Sequence, residues 1–243
     1  METRSKPNIW PLIFVPALAA GAAWAVRGKS SSLVAPSRWR GDQGRRSIAL
    51  SFDDGPSEST AELVALLAGF GVPATFFQVG ANARRLPELA KAVSAAGHEI
   101  GNHTDTHPRL WLRSPAFIRA EIAGAQDTLS TIHGAAPRLF RAPYGVRWPG
   151  LAAAQAAFGL EGVTWTAIGR DWTLPASAAA NRLFGAARPG AIFCLHDGRE
   201  LAIQPNIGET IELVRILVPR LLDAGYCLES VSSILCPTTS PNA

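Results

Sequence analysis

The sequence predicts an α/β fold on a parallel sheet, open or closed into a barrel, and two observations carry that prediction. From Ser47 onward, apolar runs of strand length alternate with segments whose apolar residues recur at helical spacing. Gly71, Gly97, Gly134, Gly159, Gly190 and Gly225 fall near the helix ends, where a left-handed residue is favoured. Neither an internal repeat nor any sign of a second domain interrupts the pattern, so one domain is expected over residues 47–236, with a short tail at 237–243.

Seven strands are expected: SIALSF (47–52), ATFFQV (74–79), HEIG (98–101), RLF (138–140), GVTWTA (162–167), AIFCLH (191–196) and YCLESV (226–231). Between them, Glu58–Phe70 places Leu63, Leu66, Leu67 and Phe70 on one helical face. Ser114-Pro115 supplies an N-cap and a first-turn proline for a helix running towards Ile132. Leu151–Phe158 and Ile211–Leu222 follow the same logic, and Pro219 is expected to kink or split the last one.

Composition removes several function classes. The 243 residues are 47% hydrophobic and 17% charged, against about 25% charged in ordinary domains, which excludes a disordered chain. Lys plus Arg number 23 and Asp plus Glu 19, a net charge of +4. That excess is scattered rather than clustered, so nucleic acid is not an expected partner. Three cysteines (Cys194, Cys227, Cys236) form no disulfide framework and no Cys-x-x-Cys zinc knuckle, and read most simply as small buried hydrophobes.

The N-terminus is a separate object. Ile9 to Val26 is uncharged and mostly apolar, and Arg4 and Lys6 precede it. Its length is at the low end of the ~17–25 residues that span a bilayer. Residues 1–26 are therefore expected to be a signal peptide or a membrane anchor, and residues 27–46, rich in Ser, Arg and Gly, a linker. Export is expected: a membrane-anchored chain with its main domain outside the cytoplasm, or a periplasmic or secreted one if the segment is cleaved.

The polar residues then fall in a telling place. Asp53 and Asp54 follow the first strand, His103 and His107 the third, and Arg141 the fourth. Asp171 lies a few residues past the fifth, and His196 closes the sixth. Parallel α/β folds build their active sites along that edge. On a helical turn, His103 and His107 of HTDTH would share one face and chelate one ion. Two histidines and one carboxylate make a catalytic metal set, and the Asp53-Asp54 pair can supply both the ligand and a base, although Asp-Asp-Gly-Pro is also ordinary turn chemistry. His196 could protonate a leaving group, or be a satisfied strand-end histidine.

Five motifs appear in order over about 150 residues: SFDDGP (51–56), HTDTHP (103–108), RAPYG (141–145), GRDW (169–172) and CLHDG (194–198). In them the chain resembles the polysaccharide deacetylases, the NodB-homology domain of carbohydrate esterase family four. The resemblance implies a distorted (β/α) barrel of about seven parallel strands. It implies that Asp54, His103 and His107 bind a divalent metal, most often Zn2+, with Co2+ or another ion in some relatives. Asp53 would be the general base, Arg141 its partner, His196 the general acid and Asp171 the group that orients it. Tyr144 through its backbone amide, Trp172 as a wall of the acetyl pocket, and Leu195 would be substrate-binding.

Three departures stand out. Ile168 replaces an Asp frequent in relatives three residues before the Asp-Trp pair. Cys194 replaces a Leu, which should loosen the acetyl pocket. Ser51 replaces a Thr. Of the tryptophans, Trp148 is expected to be the one nearest a sugar ring and Trp165 to be core, with Trp111 a weaker stacking candidate; His98 and His133 read as structural. The function implied is metal-dependent removal of N-acetyl groups from an acetylated glycan of peptidoglycan, chitin or another envelope polymer. An O-acetyl esterase of xylan, a deacetylase of a lipid-linked amino sugar and a non-catalytic glycan-binding module are the alternatives.

Overall fold

The structure is a computed structural model and describes residues 20–236. Helix α1 is described over residues 20–27, so residues 9–19 of the apolar stretch, with its cleavage or anchoring, lie outside the described residues. Among the described residues no helix is long and apolar enough to cross a membrane.

The elements run β1 (Ser47–Asp53), α2 (Thr60–Phe70), β2 (Thr75–Gln78), α3 (Gly80–Arg85), α4 (Pro87–Ala95), β3 (Glu99–Asn102), α5 (Pro115–His133), β4 (Leu139–Phe140), α6 (Leu151–Ala157), β5 (Glu161–Gly162), β6 (Ala167–Ile168), α7 (Ala176–Phe184), β7 (Ala191–His196), α8 (Gly208–Asp223), β8 (Cys227–Glu229) and α9 (Val231–Leu235). All strands are parallel, in the order β5-β4-β3-β2-β1-β7-β6, with β8 paired to the first half of β1. The sheet curls into a half-barrel whose two edges, β5 and β6, do not pair with each other.

That open seam is where the expected 162–167 strand breaks in two. Val163 N still reaches Phe140 O and Thr166 N Ile192 O, but alongside them the chain bonds the N-terminal segment: Arg38 N donates to Gly162 O, and Thr164 N to Arg38 O, both at 2.8 Å. Gly41 N reaches Gly190 O at 2.7 Å on the other side. Residues 27–46, expected as a linker, are therefore packed across the barrel's opening. Arg147, buried in the core, holds them there through carbonyls. Its Nη1 donates to Ser31 O at 2.7 Å, its Nη2 to Gly28 O at 2.5 Å and its Nε to Val26 O at 3.4 Å. Arg147→Met should leave the buried Ser31 carbonyl without its donor, take one of two donors from the Gly28 and Val26 carbonyls, and lower unfolding free energy by about 1–3 kcal/mol, measured by urea denaturation. An unchanged midpoint would mean the segment is not clamped this way.

Period-two alternation sorts the core. Ile48, Leu50 and Phe52 of β1 face outward with Phe193 and Leu195 of β7, and pack against Leu63, Leu67, Leu217 and Leu221 of the helical shell. Ala49, Phe77 and Ile192 face inward and meet Val231, Ile234 and Leu235, so α9 plugs the bottom of the barrel. The same inward face carries Ser51, Asp53, Cys194 and His196 towards the top.

Ser114 caps α5 by accepting from Phe117 N at 3.2 Å, and the six expected glycines all hold positive φ. Pro219 sits inside α8 without splitting it, because Leu213, Val214, Leu217, Val218 and Leu221 stay buried on both sides of it. Cys227 and Cys236 are exposed, contrary to expectation, since each lies at the end of a short element; Cys194 alone is buried.

Candidate active site

Asp53 ends β1 on the inward face and is buried. Its Oδ1 accepts from Arg141 Nη1 at 2.6 Å, and its Oδ2 lies 3.4 Å from Cys194 Sγ. Arg141 is fully buried, and its fork is shared: Nη1 also donates to Ser51 Oγ at 2.8 Å, and Nη2 to Thr164 O at 3.0 Å. Phe77 covers its face at 4.0 Å from the ring centroid. Such a guanidinium holds one carboxylate oxygen of Asp53 in place and leaves the other facing the cavity.

Asp54, next in sequence, turns the other way because its backbone is left-handed (φ 72°), a conformation Asp tolerates. Asn82 Nδ2 donates to its carbonyl at 2.8 Å, and Glu200 N to its Oδ2 at 3.0 Å. The remaining oxygen, Oδ1, faces both histidines, 3.4 Å from His103 Nε2 and 3.0 Å from His107 Nε2. Burial opposes ionisation of Asp54, but the neighbouring imidazoles of His103 and His107 outweigh it and hold the carboxyl well below its usual range.

His103 and His107 do not share a helix, as their spacing suggested. They sit on a loop with left-handed Thr104 (φ 69°) and His107 (φ 56°), which brings the rings to 5.0 Å. Glu121 of α5 fixes this loop, accepting from Thr106 N at 2.8 Å and Asp105 N at 3.1 Å.

A bond to Arg141 O at 2.7 Å makes His103 Nδ1 the donor and leaves its Nε2 lone pair facing a carboxylate oxygen. A lone pair facing a carboxylate oxygen leaves room for a cation between them, and the candidate ligand atoms of Asp54, His103 and His107 lie within 4.8 Å of one another. The donor set therefore fits a divalent metal.

Across the cavity, His196 Nδ1 lies 3.0 Å from Asp171 Oδ1, and His196 N donates to Asp171 Oδ2 at 3.0 Å. Thr210 Oγ1 donates to the same Oδ2 at 2.6 Å. Burial opposes the charge on His196, but Asp171 outweighs it and pushes the imidazolium up to about 9. In Asp171, burial is likewise overcome by the His196 charge, so it stays ionised below the ordinary Asp range.

The groups line one cavity of about 510 Å³. Trp172 meets His196 edge-on at 4.8 Å, and Tyr144, left-handed at φ 57°, lies 4.8 Å from the His107 ring. Tyr144 OH donates to Glu200 Oε1 at 2.6 Å; burial and that carboxylate push the phenol up to about 12. Leu195 is placed elsewhere: strand alternation turns it outward into the helical shell, while Cys194 and Ile168 line the cavity. The tryptophan expectations also reverse, because Trp165 lies on the broken strand and lines the cavity, whereas Trp148 packs on Trp111 at 4.7 Å.

Asn82, Glu121, Glu200 and the cavity-lining Arg27, Arg170 and Arg199 were not anticipated. Each acts from a loop or helix that carries no period in the sequence. Gly55 and Gly198 of the motifs lock the two site loops together. A Cβ on Gly55 would lie 2.1 Å from Asp197 Oδ2, and one on Gly198 2.4 Å from Asp54 O. Burial raises the Asp197 carboxyl to about 7, although Thr60 Oγ1 donates to it at 2.7 Å.

The chain matches the sequence model of the family described as polysaccharide deacetylase over residues 40–163. It is 37% identical over 192 residues to a chitooligosaccharide deacetylase of Bradyrhizobium sp. (strain ANU 289), covering 75% of this chain and 88% of that protein. It is 34% identical over 208 residues to a peptidoglycan-N-acetylglucosamine deacetylase of Bacillus cereus, covering 81% of this chain and 72% of that one. Among solved structures, a peptidoglycan N-acetylglucosamine deacetylase superposes with a TM-score of 0.76 at 27% identity, covering 81% and 91% of the two chains. The family 4 carbohydrate esterase of Streptomyces lividans, in complex with acetate, gives 0.68 at 30% identity, covering 75% and 91%.

Proposed function

This chain belongs to the polysaccharide deacetylase family, and from that premise we propose that it hydrolyses N-acetyl groups of an amino-sugar glycan with a divalent metal. The observation that carries the proposal is the meeting, in one cavity, of three converging metal donors with an Arg-held carboxylate and an Asp-held imidazole. A non-catalytic glycan module needs neither of the last two.

Asp54, His103 and His107 would hold the ion, with Zn2+ or Co2+ suiting the donors. When bound it would polarise the acyl carbonyl and make water more acidic, by as much as about 8 units for zinc. Asp53 takes the proton of the attacking water on Oδ2, because Oδ1 is committed to Arg141. The C–N bond then breaks as His196 Nε2 delivers a proton to the departing nitrogen, giving acetate and a free amine. Trp172, Trp165 and Cys194 surround the space left for the methyl group. An extracytoplasmic location is part of the proposal, and the uncharged stretch at 9–26 is what supports it.

The test is acetate release from N-acetylglucosamine oligomers by the full chain, beside acetylxylan. Chelation should abolish release, and Zn2+ or Co2+ should restore it. Release from acetylxylan alone would move the protein to the O-acetyl esterases, and release that ignores chelation would remove the metal from the account.

The acid has its own signature. His196 must be protonated, so turnover should fall as pH rises through the imidazolium pKa, which Asp171 raises. Asp171→Asn removes that support, and the alkaline limb of kcat should move to lower pH. A limb left unmoved in Asp171→Asn would assign it to another group.

A further inference from the structure

A second cavity, also of about 510 Å³, opens beside the first and is bordered by Arg27, Arg109, Trp111, Leu112, Arg113 and Val146. Arg27 borders both cavities, so the two lie side by side. Arg109 continues the contact: its guanidinium lies 4.8 Å over the Tyr144 ring, and that ring packs on His107. Trp111 is half exposed against Trp148 and offers an apolar face of the kind sugar rings stack on. Beside it Leu112 is 71% exposed and left-handed at φ 57°, a conformation costly for Leu, which keeps the tip of this loop turned outward.

The charge of the groove decides its occupant. Three of the six bordering residues are arginines and none is acidic. Among the described ion pairs none uses Arg27, Arg109 or Arg113. A neutral glycan would gain from the tryptophans but nothing from three guanidiniums, whereas a carboxylate is matched by their forked donors.

We propose that the Arg27–Arg109–Trp111–Arg113 groove is a subsite for a sugar bearing a carboxylate, close along the glycan from the acetylated sugar in the catalytic cavity. The inference rests on the deacetylase reading and names its substrate class: an anionic amino-sugar polymer rather than a neutral one.

The test compares three oligosaccharides of equal length. One is the neutral N-acetylglucosamine oligomer, one alternates N-acetylglucosamine with its carboxylated lactyl ether, and the third is the latter with its carboxyls converted to amides. Binding is measured by calorimetry on the metal-stripped full chain, so that turnover plays no part, and acetate release is measured separately. The carboxylated glycan should bind about fivefold more tightly than its amide at low salt. That difference should vanish at high salt and in the double variant Arg27→Gln/Arg113→Gln, while Arg27→Lys/Arg113→Lys keeps part of it.

Affinity for the neutral oligomer should stay unchanged in the single variant Arg113→Gln, whose side chain borders the second cavity and not the catalytic one. Equal affinities for the carboxylated and amidated glycans would overturn the subsite, as would an Arg113→Gln variant that weakens all three alike. Arginine-dependent binding to phosphatidylglycerol vesicles without a glycan difference would also overturn it and assign the patch to a membrane surface. Failure of the deacetylase reading shows separately, as glycans that bind but release no acetate from the metal-loaded chain.

Discussion

Asp53→Asn lowers kcat on N-acetylated oligosaccharides by about 10²–10⁴-fold and leaves metal stoichiometry at its wild-type value. The first part follows from Oδ2, the cavity-facing oxygen of Asp53 not held by Arg141. An amide keeps the shape and an acceptor for Arg141 but cannot take a proton from water. The second part follows from the division of labour between neighbours. Strand alternation sends Asp53 inward to Arg141, and the left-handed backbone sends Asp54 to His103 and His107. Metal content by mass spectrometry and acetate release separate the two. A loss of both together would mean that Asp53 is itself a ligand, and retained activity would remove it as the base.

Arg141→Met costs about 3–5 kcal/mol of unfolding free energy, one of the largest stability effects expected among single changes in the barrel. The side chain is fully buried, so its loss leaves the Asp53 carboxylate without a counter-charge and Ser51 Oγ without its donor partner. The carbonyls of Thr164 and Val163 lose their donors as well, at the seam where the sheet does not close. Asp53→Asn combined with Arg141→Met should cost less than the sum of the single changes, because the double variant buries no unpaired charge. Urea denaturation of the four proteins measures the coupling. Additive losses would show that the pair is not a buried ion pair in the sense described.

Much of this molecule was legible in the sequence because its signals were local. Strand runs and helix-end glycines were correctly read, since apolar period and left-handed turns are written within a few residues. The strand at 162–167 breaks for a physical reason: in its middle, hydrogen bonds go to Arg38 and Trp39, over a hundred positions away. Leu195 faces the helical shell and Trp165 the cavity, against expectation, for a related reason, whereas Cys194 lines the cavity as expected. Which face of a strand looks inward depends on barrel curvature, and a continuous apolar run such as AIFCLH carries no alternation from which to read it. The HTDTH pair was rightly brought to one point but by the wrong backbone, because spacing of four is met by a helix and by a left-handed loop alike. Asn82, Glu121 and Glu200 carried no signal, since a lone polar residue on a helix or loop looks like any solvated one until the fold buries it.

The account is tested most directly by titrating divalent metal into the chelated chain while following acetate release from an N-acetylglucosamine oligomer. Turnover should rise linearly and level off at one ion per chain, and Asp54→Ala should show no rise over the same range. A chain that deacetylates equally well before the first ion is added, or an Asp54→Ala variant that recovers fully, would contradict the site described.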